Sequence, residues 1–383
     1  MKKLLSFILV ASMTISACNS QPTQLNAKIL NESLALGTEY LLNSQKEEGN
    51  FIYEYNFKTK EISKDDNQVR QAGALWGIAL IHHYQPSEKT LSAIEKSLNY
   101  FESISKTTEN GGRYVVYNDG TSGKSGTIAL ITLALVDLLE SNFKINNREK
   151  YESQLNEYLN FLISLRKDDG LFYSKFRYED GEGYSTPSPY VDGEALLAMI
   201  RAANYLKRED LFIQIDESAE QMYKTNVQEA LEENPDSDTT KGFFQWGIMS
   251  FYELYNKDPH KYKEYAQYSI ELANWMIDVH RTLERTKNTS YAYEGIVLAY
   301  ELANRMHEKS TEEKFKSVID QGLYKLTSWQ VGSQIQIDYI ENLKVDDVLA
   351  KGGVMNAADE PLLRIDVTQH QMHAVILALE FVY

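Results

Sequence analysis

The sequence predicts an all-α protein, an (α/α)6 toroid of six outer-inner helical hairpins, on three observations. Six segments are apolar on every side, each follows a charged amphipathic segment, and the long connections all fall on one side of that alternation. Leu, Ile, Ala and Gly recurring at three- and four-residue spacing with almost no charge mark helices buried on every face. A hairpin of one exposed and one wholly apolar helix can hide its inner member only against neighbouring hairpins. Six of them close naturally into a ring with the inner helices parallel around the axis.

In chain order, the outer helices are expected at residues 30–45, 90–105, 148–166, 211–231, 262–280 and 312–329. Their inner partners are expected at 71–80, 125–139, 193–206, 244–255, 293–303 and 371–383. Inner-to-outer links such as 85–89 are short. The outer-to-inner links, at 46–67, 106–123, 167–191, 232–243, 281–289 and 330–368, are long, and long loops in a compact domain usually carry function. They put the site on the rim where the inner helices begin. Helix amino ends converging there favour a negatively charged group.

Residues 1–17 read as a secretory signal peptide: Lys2 and Lys3, an apolar run from Leu4 to Val10, and small residues before Cys18. Cys18 is the only cysteine, so no disulfide framework is expected. Residues 18–27, polar and carrying Pro22, read as a tether, and 28–383 as a single toroid domain. The 383 residues are 43% hydrophobic and 25% charged, an ordinary globular composition, and no later run has the length of a membrane span. A formal charge of −16 argues against nucleic acid as a partner, while leaving room for a locally cationic cleft. The 26 Tyr, 14 Phe and 4 Trp suit sugar-stacking walls and helix seams alike.

Polar residues where the buried helices begin are the candidates for chemistry. Asp66-Asn67-Gln68-Val69-Arg70 opens the first. Asp66 suits an N-cap, but Arg70, a cation in a first turn, needs an anionic partner from a ligand or a neighbouring helix. Ser122-Gly123-Lys124-Ser125 lacks the first glycine of a phosphate loop, Asn118 standing in its place. Lys124 and Arg113 remain as weak anion contacts. The third helix opens with Tyr190, Asp192 and Glu194 behind Pro187 and Pro189. Asp192 reads as an N-cap or first-turn acid, and Glu194 as a catalytic carboxyl or a buried partner of Arg70 or Arg364. Trp246 and Tyr291 are sugar-stacking or core aromatics, and Glu294 repeats the placement of Glu194.

The densest constellation is Arg364, Asp366, Gln369, His370 and His373. The two histidines lie one helical turn apart on one side, but a third ligand is not apparent, so neither a metal nor a cofactor is expected. A histidine among carboxylates, with an arginine close by, is suited to moving protons. The catalytic candidates are therefore His370, Asp366, Glu194, Glu294, Tyr190 and Tyr291. The binding candidates are Arg70, Arg364, Asp66, Gln68, Asp192, Trp246, Gln369 and His373.

Ile15-Ser16-Ala17-Cys18 resembles the processing site of bacterial lipoproteins. The resemblance implies that Cys18 is the lipid-bearing, palmitate-carrying mature amino terminus and the only contact with the membrane. Asn19, where an Asp would favour the inner membrane, implies an outer-membrane anchor facing the periplasm. Residues 40–51 and 161–172 resemble the helix-ending repeat of terpenoid-cyclase-like α/α toroids, in which an acidic turn and Gly lead to an aromatic, Phe51 or Phe172. The Asp-rich acid motif of those cyclases is absent, Asp65-Asp66 being incomplete, so this likeness concerns fold.

Arg364-Ile365-Asp366 running into Gln369-His370 is similar to the C-terminal toroid of glucuronyl C5-epimerases, with Val367 where that family has Tyr. This resemblance implies an acidic, uronate-containing glycan and an epimerase or lyase. Such an enzyme takes the proton beside a carboxylate that Arg70 and Arg364 neutralise, with His370, Tyr190 or Tyr291 moving protons. A glycoside hydrolase would instead set Asp192 or Glu194 against Glu294 or Asp366. The alternative is a non-catalytic glycan- or protein-binding periplasmic lipoprotein. Convergence of Arg70, Glu194, Glu294, Asp366 and His370 on one hollow marks an enzyme, and their pairing off to fill the axis marks a binder. Isoprenoid chemistry, a third reading, requires an axial aromatic cavity with a single acidic cluster.

Overall fold

The computed structural model describes residues 24–118 and 120–383; Cys18 and the leader lie outside the described residues. Six outer helices, α1 (Ala27–Asn43), α3 (Glu88–Ser103), α5 (Arg148–Ser164), α7 (Phe212–Tyr223), α9 (Lys263–Asp278) and α11 (Lys309–Ser328), alternate with six inner ones. The inner helices are α2 (Gln68–Tyr84), α4 (Ser125–Glu140), α6 (Pro189–Leu206), α8 (Asp238–Lys257), α10 (Ser290–Arg305) and α12 (Ile365–Phe381). Each inner helix packs on the next, and α12 packs on both α2 and α1, so the ring closes. The fold is an (α/α)6 toroid. Inner-to-outer links are three to seven residues long, and every long link lies at the end where the inner helices start.

Inner helix α4 starts at Ser125 as the apolar pattern indicates, but the other five begin earlier: α8 starts at Asp238 instead of 244, and α12 at Ile365 instead of 371. Their first turns face the rim hollow and carry polar side chains, so apolar periodicity sets in only where each helix sinks into the core. Helix α2 is capped by Asn67, whose side chain accepts the Val69 and Arg70 N–H groups, and not by Asp66. Outer helix α7 passes into a π-helical turn, Lys224–Glu229, before a last turn at Ala230–Glu233.

Eight short strands, not expected from the sequence, stiffen the rim: β1 (Glu54–Asn56), β2 (Glu61–Ile62), β3 (Ser105–Thr107), β4 (Arg113–Val115), β5 (Ser122–Lys124), β6 (Lys175–Arg177), β7 (Gly183–Tyr184) and β8 (Leu362–Arg364). Two- and three-residue strands leave too little alternation to read. Antiparallel pairing of β1 with β8 sets Glu54 opposite Arg364 and ties the first rim loop to the last.

The repeated turn seen in the sequence folds the same way twice. Gly49 (φ 109°) and Gly170 (φ 88°) supply the left-handed residue, and Gln45 bridges Phe51 as Arg166 bridges Phe172. The Phe51 N–H then donates to Gln71 Oε1 at 2.7 Å, and the Phe172 N–H to Asp192 Oδ1 at 3.0 Å. At a third rim loop, where Gln330 bridges Val354 across a longer insertion, the Val354 N–H donates to Thr368 Oγ1 at 3.0 Å. Gln71, Asp192 and Thr368 are each the fourth residue of an inner helix, so three rim loops are pinned at the same height.

Candidate active site

All six inner helices contribute to a hollow of about 370 Å³ on the axis at their amino ends. Arg70 comes from α2, Leu130 from α4, Tyr190 and Glu194 from α6, Gln245 and Trp246 from α8, Tyr291 from α10, and Asp366, Gln369 and His370 from α12. Arg364, at the end of β8, and Asn288 and Asn356, from two rim loops, complete it.

Two groups in this hollow are equipped to move protons. Glu194 is 6% exposed and makes no hydrogen bond or ion pair among the described residues. Burial pushes its carboxyl up to about 8, against the pull of His370 and Lys124, so it holds a proton at neutral pH. Gly126 makes room for it: a β-carbon there would lie 2.2 Å from Glu194 Oε2. The second group, His370, turns its Nδ1 to Glu294 Oε1 at 2.8 Å, which leaves Nε2 for the hollow. Burial disfavours the imidazolium, but Glu294, then Asp366 and Glu194, outweigh it and raise the pKa above the ordinary value.

Glu294 itself has no exposed surface. Burial opposes its charge, yet His370 and His373 hold the carboxyl below its usual range.

Asp366 binds both arginines. Arg364 Nε and an Nη donate to its two oxygens at 3.0 and 2.7 Å, and Arg70 Nε reaches Oδ2 at 3.0 Å. Burial would raise the Asp366 carboxyl, but the guanidiniums keep it low. Arg70 also donates to the Tyr53 hydroxyl. The first-turn cation on α2 therefore has its anionic partner on a neighbouring helix, and the three-residue cluster keeps a net positive charge.

Trp246 and the half-buried Tyr291 form walls, and Tyr190, 48% exposed, stands at the mouth. Burial lifts the Tyr291 phenol to about 12 and moves the Tyr190 phenol upward, so both are hydrogen-bond donors at neutral pH and poor proton acceptors. Two buried donors on the lining, Trp246 Nε1 and Gln369 Nε2, have no hydrogen-bond partner among the described residues. A side hollow of about 410 Å³ shares Val69, Arg70, Tyr190 and Glu194 with the first and runs past Lys124 and Lys175.

Of the residues expected at the site, Arg70, Glu194, Asp366, His370, Arg364, Tyr190, Tyr291, Trp246 and Gln369 line the hollow, with Glu294 directly behind His370. Four are placed elsewhere. Asp66 accepts from Gln71 and the Tyr117 hydroxyl beneath the rim. Gln68 Oε1 accepts the Lys124 N–H at 2.9 Å and so fixes the start of α4. Asp192 holds the Phe172 loop and Asn226, and burial lifts its carboxyl to about 6 despite those bonds. His373 lies below the hollow, its Nδ1 3.4 Å from Glu294 Oε1.

Arg113 is paired with Glu157 of α5 at 2.6 Å, away from the site. Glu194 pairs with neither arginine. Lys241, Gln245, Asn288 and Asn356 were not singled out by sequence; Gln245, next to Trp246 at a helix start, carried the same signal as Gln369. The rim hollow carries two guanidiniums in place of a single acidic cluster, unlike an isoprenoid cavity.

No family model matches the chain, and no curated protein does. Solved structures do. An inactive variant of the α-1,6-mannanase GH76A of Salegentibacter sp. HEL1_6, in complex with α-1,6-mannotriose, aligns with a TM-score of 0.63 at 12% identity over 93% of this chain and 99% of that one. A sugar epimerase from a ruminal bacterium aligns at 0.61 and 10% identity over 93% and 99%. An unsaturated glucuronyl hydrolase specific for heparin aligns at 0.59 and 10% identity over 92% and 98%. The chain shares their whole toroid.

Proposed function

We propose that this protein is a carbohydrate-active enzyme that transfers protons at the sugar carbon next to a carboxylate, as an epimerase or lyase on uronate-containing glycans. The observation that carries the reading is that the buried, unpaired carboxyl of Glu194 and a His370 oriented by Glu294 line one hollow. His370 Nε2 takes the proton, and the positive Arg70–Asp366–Arg364 cluster stabilises the enolate charge that develops on the carboxylate. Glu194 then gives its proton either to the opposite face of the carbon, inverting it, or to the departing glycosidic oxygen, leaving an unsaturated sugar.

Trp246 Nε1 and Gln369 Nε2 are donors for sugar hydroxyls, and Lys124 and Lys175 in the side hollow suit the next acidic residue of a chain. The epimerase and the glucuronyl hydrolase among the structural relatives agree with sugar and uronate chemistry.

Carboxylate-pair hydrolysis fits less well. Asp366 is held on both oxygens by arginines, and Glu294 has no access to a ligand, so Glu194 stands without a second free carboxylate. A purely binding role leaves the unpaired, protonated Glu194 without a purpose. A second reading, proton transfer beside the carbonyl of a neutral open-chain sugar, is favoured by Asp366 already offsetting one guanidinium.

Incubating the leaderless protein in D2O with oligouronates, and in parallel with neutral reducing sugars, tests the proposal. Deuterium at the carbon beside the carboxylate, or absorbance from unsaturated ends, supports it. Deuterium confined to the carbon next to the carbonyl of a neutral reducing sugar supports the second reading. Reducing ends released without either signal overturn both. Within the same proposal the protein is exported and held by lipid on Cys18, at the outer membrane and facing the periplasm.

A further inference from the structure

A second cavity, of about 500 Å³, occupies the opposite end of the axis, among the carboxyl-terminal halves of the inner helices. Trp76 divides it from the rim hollow, packed against Trp246 at 5.6 Å and His373 at 5.1 Å between ring centroids. Neither the proposed reaction nor the rim loops use this space. Trp76, Tyr84, Tyr252 and Phe381 give it aromatic surfaces, with aliphatic side chains between them.

Besides Asn256, which accepts from Arg305, and His373, its polar side chains fall into two sets. Asp137 is fully committed: Trp76 Nε1 donates to it at 2.7 Å and Arg201 at 2.9 Å, with His83 at 3.5 Å. Arg201 also holds Glu140 at 2.7 Å. His83, Asp137 and Glu140 have metal-like spacing, but the Arg201 guanidinium already takes up both carboxylates, which disfavours a divalent ion there.

Glu253 and Glu380 form the second set. The nearest cation to Glu253 is Arg201 Nε at 3.7 Å, and Glu253 makes no hydrogen bond among the described residues. Glu380 has no ion pair among them. Burial and the neighbouring Glu140 and Asp137 carboxylates push the Glu253 carboxyl upward against Arg201, so a further positive charge is wanted there. The negative ends of the inner-helix dipoles point the same way. Aromatic faces, a Glu253 held only by a long contact with Arg201 and a Glu380 without an ion pair among the described residues together suit one ligand class, cations with a hydrocarbon body, although Arg305 already lies over the Tyr252 ring at 5.3 Å.

We propose that this cavity binds a small organic ammonium ion, its charge between Glu253 and Glu380 and its hydrocarbon body against Trp76, Tyr84, Tyr252 and Phe381. The site is independent of the reaction at the rim.

Titrating the full chain with cyclohexylammonium and tetraethylammonium, with cyclohexanol as the neutral control, tests it through tryptophan fluorescence and melting temperature. Saturable binding of the ammonium ions with a rise in melting temperature, and no response to cyclohexanol, is expected. Glu253→Gln should weaken ammonium binding about 10-fold, whereas Glu194→Gln in the rim hollow should bind as the parent does. Tyr84→Leu serves the same purpose should Glu253→Gln fold poorly. An equal response to cyclohexanol, no saturation at millimolar ammonium, unchanged binding in both variants, or stabilisation by zinc or calcium instead would overturn the assignment.

Discussion

Glu294 Oε1 lies 2.8 Å from Nδ1 of His370, across the seam between α10 and α12, on a carboxylate with no surface exposed to any ligand. It is a positioning group: it fixes which imidazole nitrogen faces the hollow and sustains that nitrogen's basicity.

Glu294→Gln keeps the size of the side chain and removes its charge. Turnover is expected to fall by about 10²- to 10⁴-fold, with the acid limb of the pH–rate profile moving to lower pH as His370 loses basicity. A turnover matching the parent at every pH would refute the role.

Glu194→Gln removes the hollow's proton donor, and activity should drop by about 10²- to 10⁴-fold. Stability should move the other way. The folded pKa of about 8 lies above the ordinary carboxyl value of 4.5, so the stabilising proton is fully held below pH 4.5 and lost as pH rises through about 8. Thermal melts should show the variant gaining on the parent across that window. Parallel curves would show that Glu194 is not buried as described.

Arg364→Gln should raise KM for an oligouronate by roughly 10- to 100-fold and lower kcat as well, because the guanidinium meets the carboxylate in the ground state and more charge there as the enolate develops. Asp366→Asn makes the cluster more positive at the cost of pairing, so weaker folding with KM no higher than the parent's is expected. Steady-state kinetics on the two variants decide between a carboxylate clamp and a structural ion pair.

Asp192→Ala should cost about 1–3 kcal/mol of stability, since the Phe172 N–H loses its acceptor. The rate constant per folded molecule should be unchanged. In Asp192→Asn the acceptor survives and the charge does not. The parent's folded pKa of about 6 is raised from 3.8, so its stability declines as pH rises from about 4 to 6, and that decline should flatten in the variant. Denaturant melts at pH 4 and pH 7 measure the difference.

Cys18→Ser should release the protein from the membrane fraction on cell fractionation and remove its lipid mass. An unchanged membrane association would end the lipid-anchor proposal.

The toroid was legible because six helices apolar on every side can be explained only by burial, and the loop-bearing rim followed from where the long links fall. Arg70, Glu194 and His370 were legible as polar residues interrupting that apolarity. Partners were harder to read. Nothing local says that Arg70 turns to Asp366, 296 positions away, or that Glu194 is left alone. Asp192 and Glu194 look equivalent as sequence, two acids in one turn, yet one faces a backbone N–H outside the ring and the other the axis. His373 shares a helical face with His370 but sits one turn deeper, below the hollow.

Three rim segments are nailed by their backbone, at Phe51, Phe172 and Val354, to the same tier of the inner ring. Such mooring separates frame from equipment: what lies between the nails, the β8 strand with Arg364 excepted, can lengthen, shorten or be exchanged without shifting the ionisable groups on the helices below. A lineage built this way can change its diet while inheriting its chemistry, and engineered variants can graft foreign recognition segments there first.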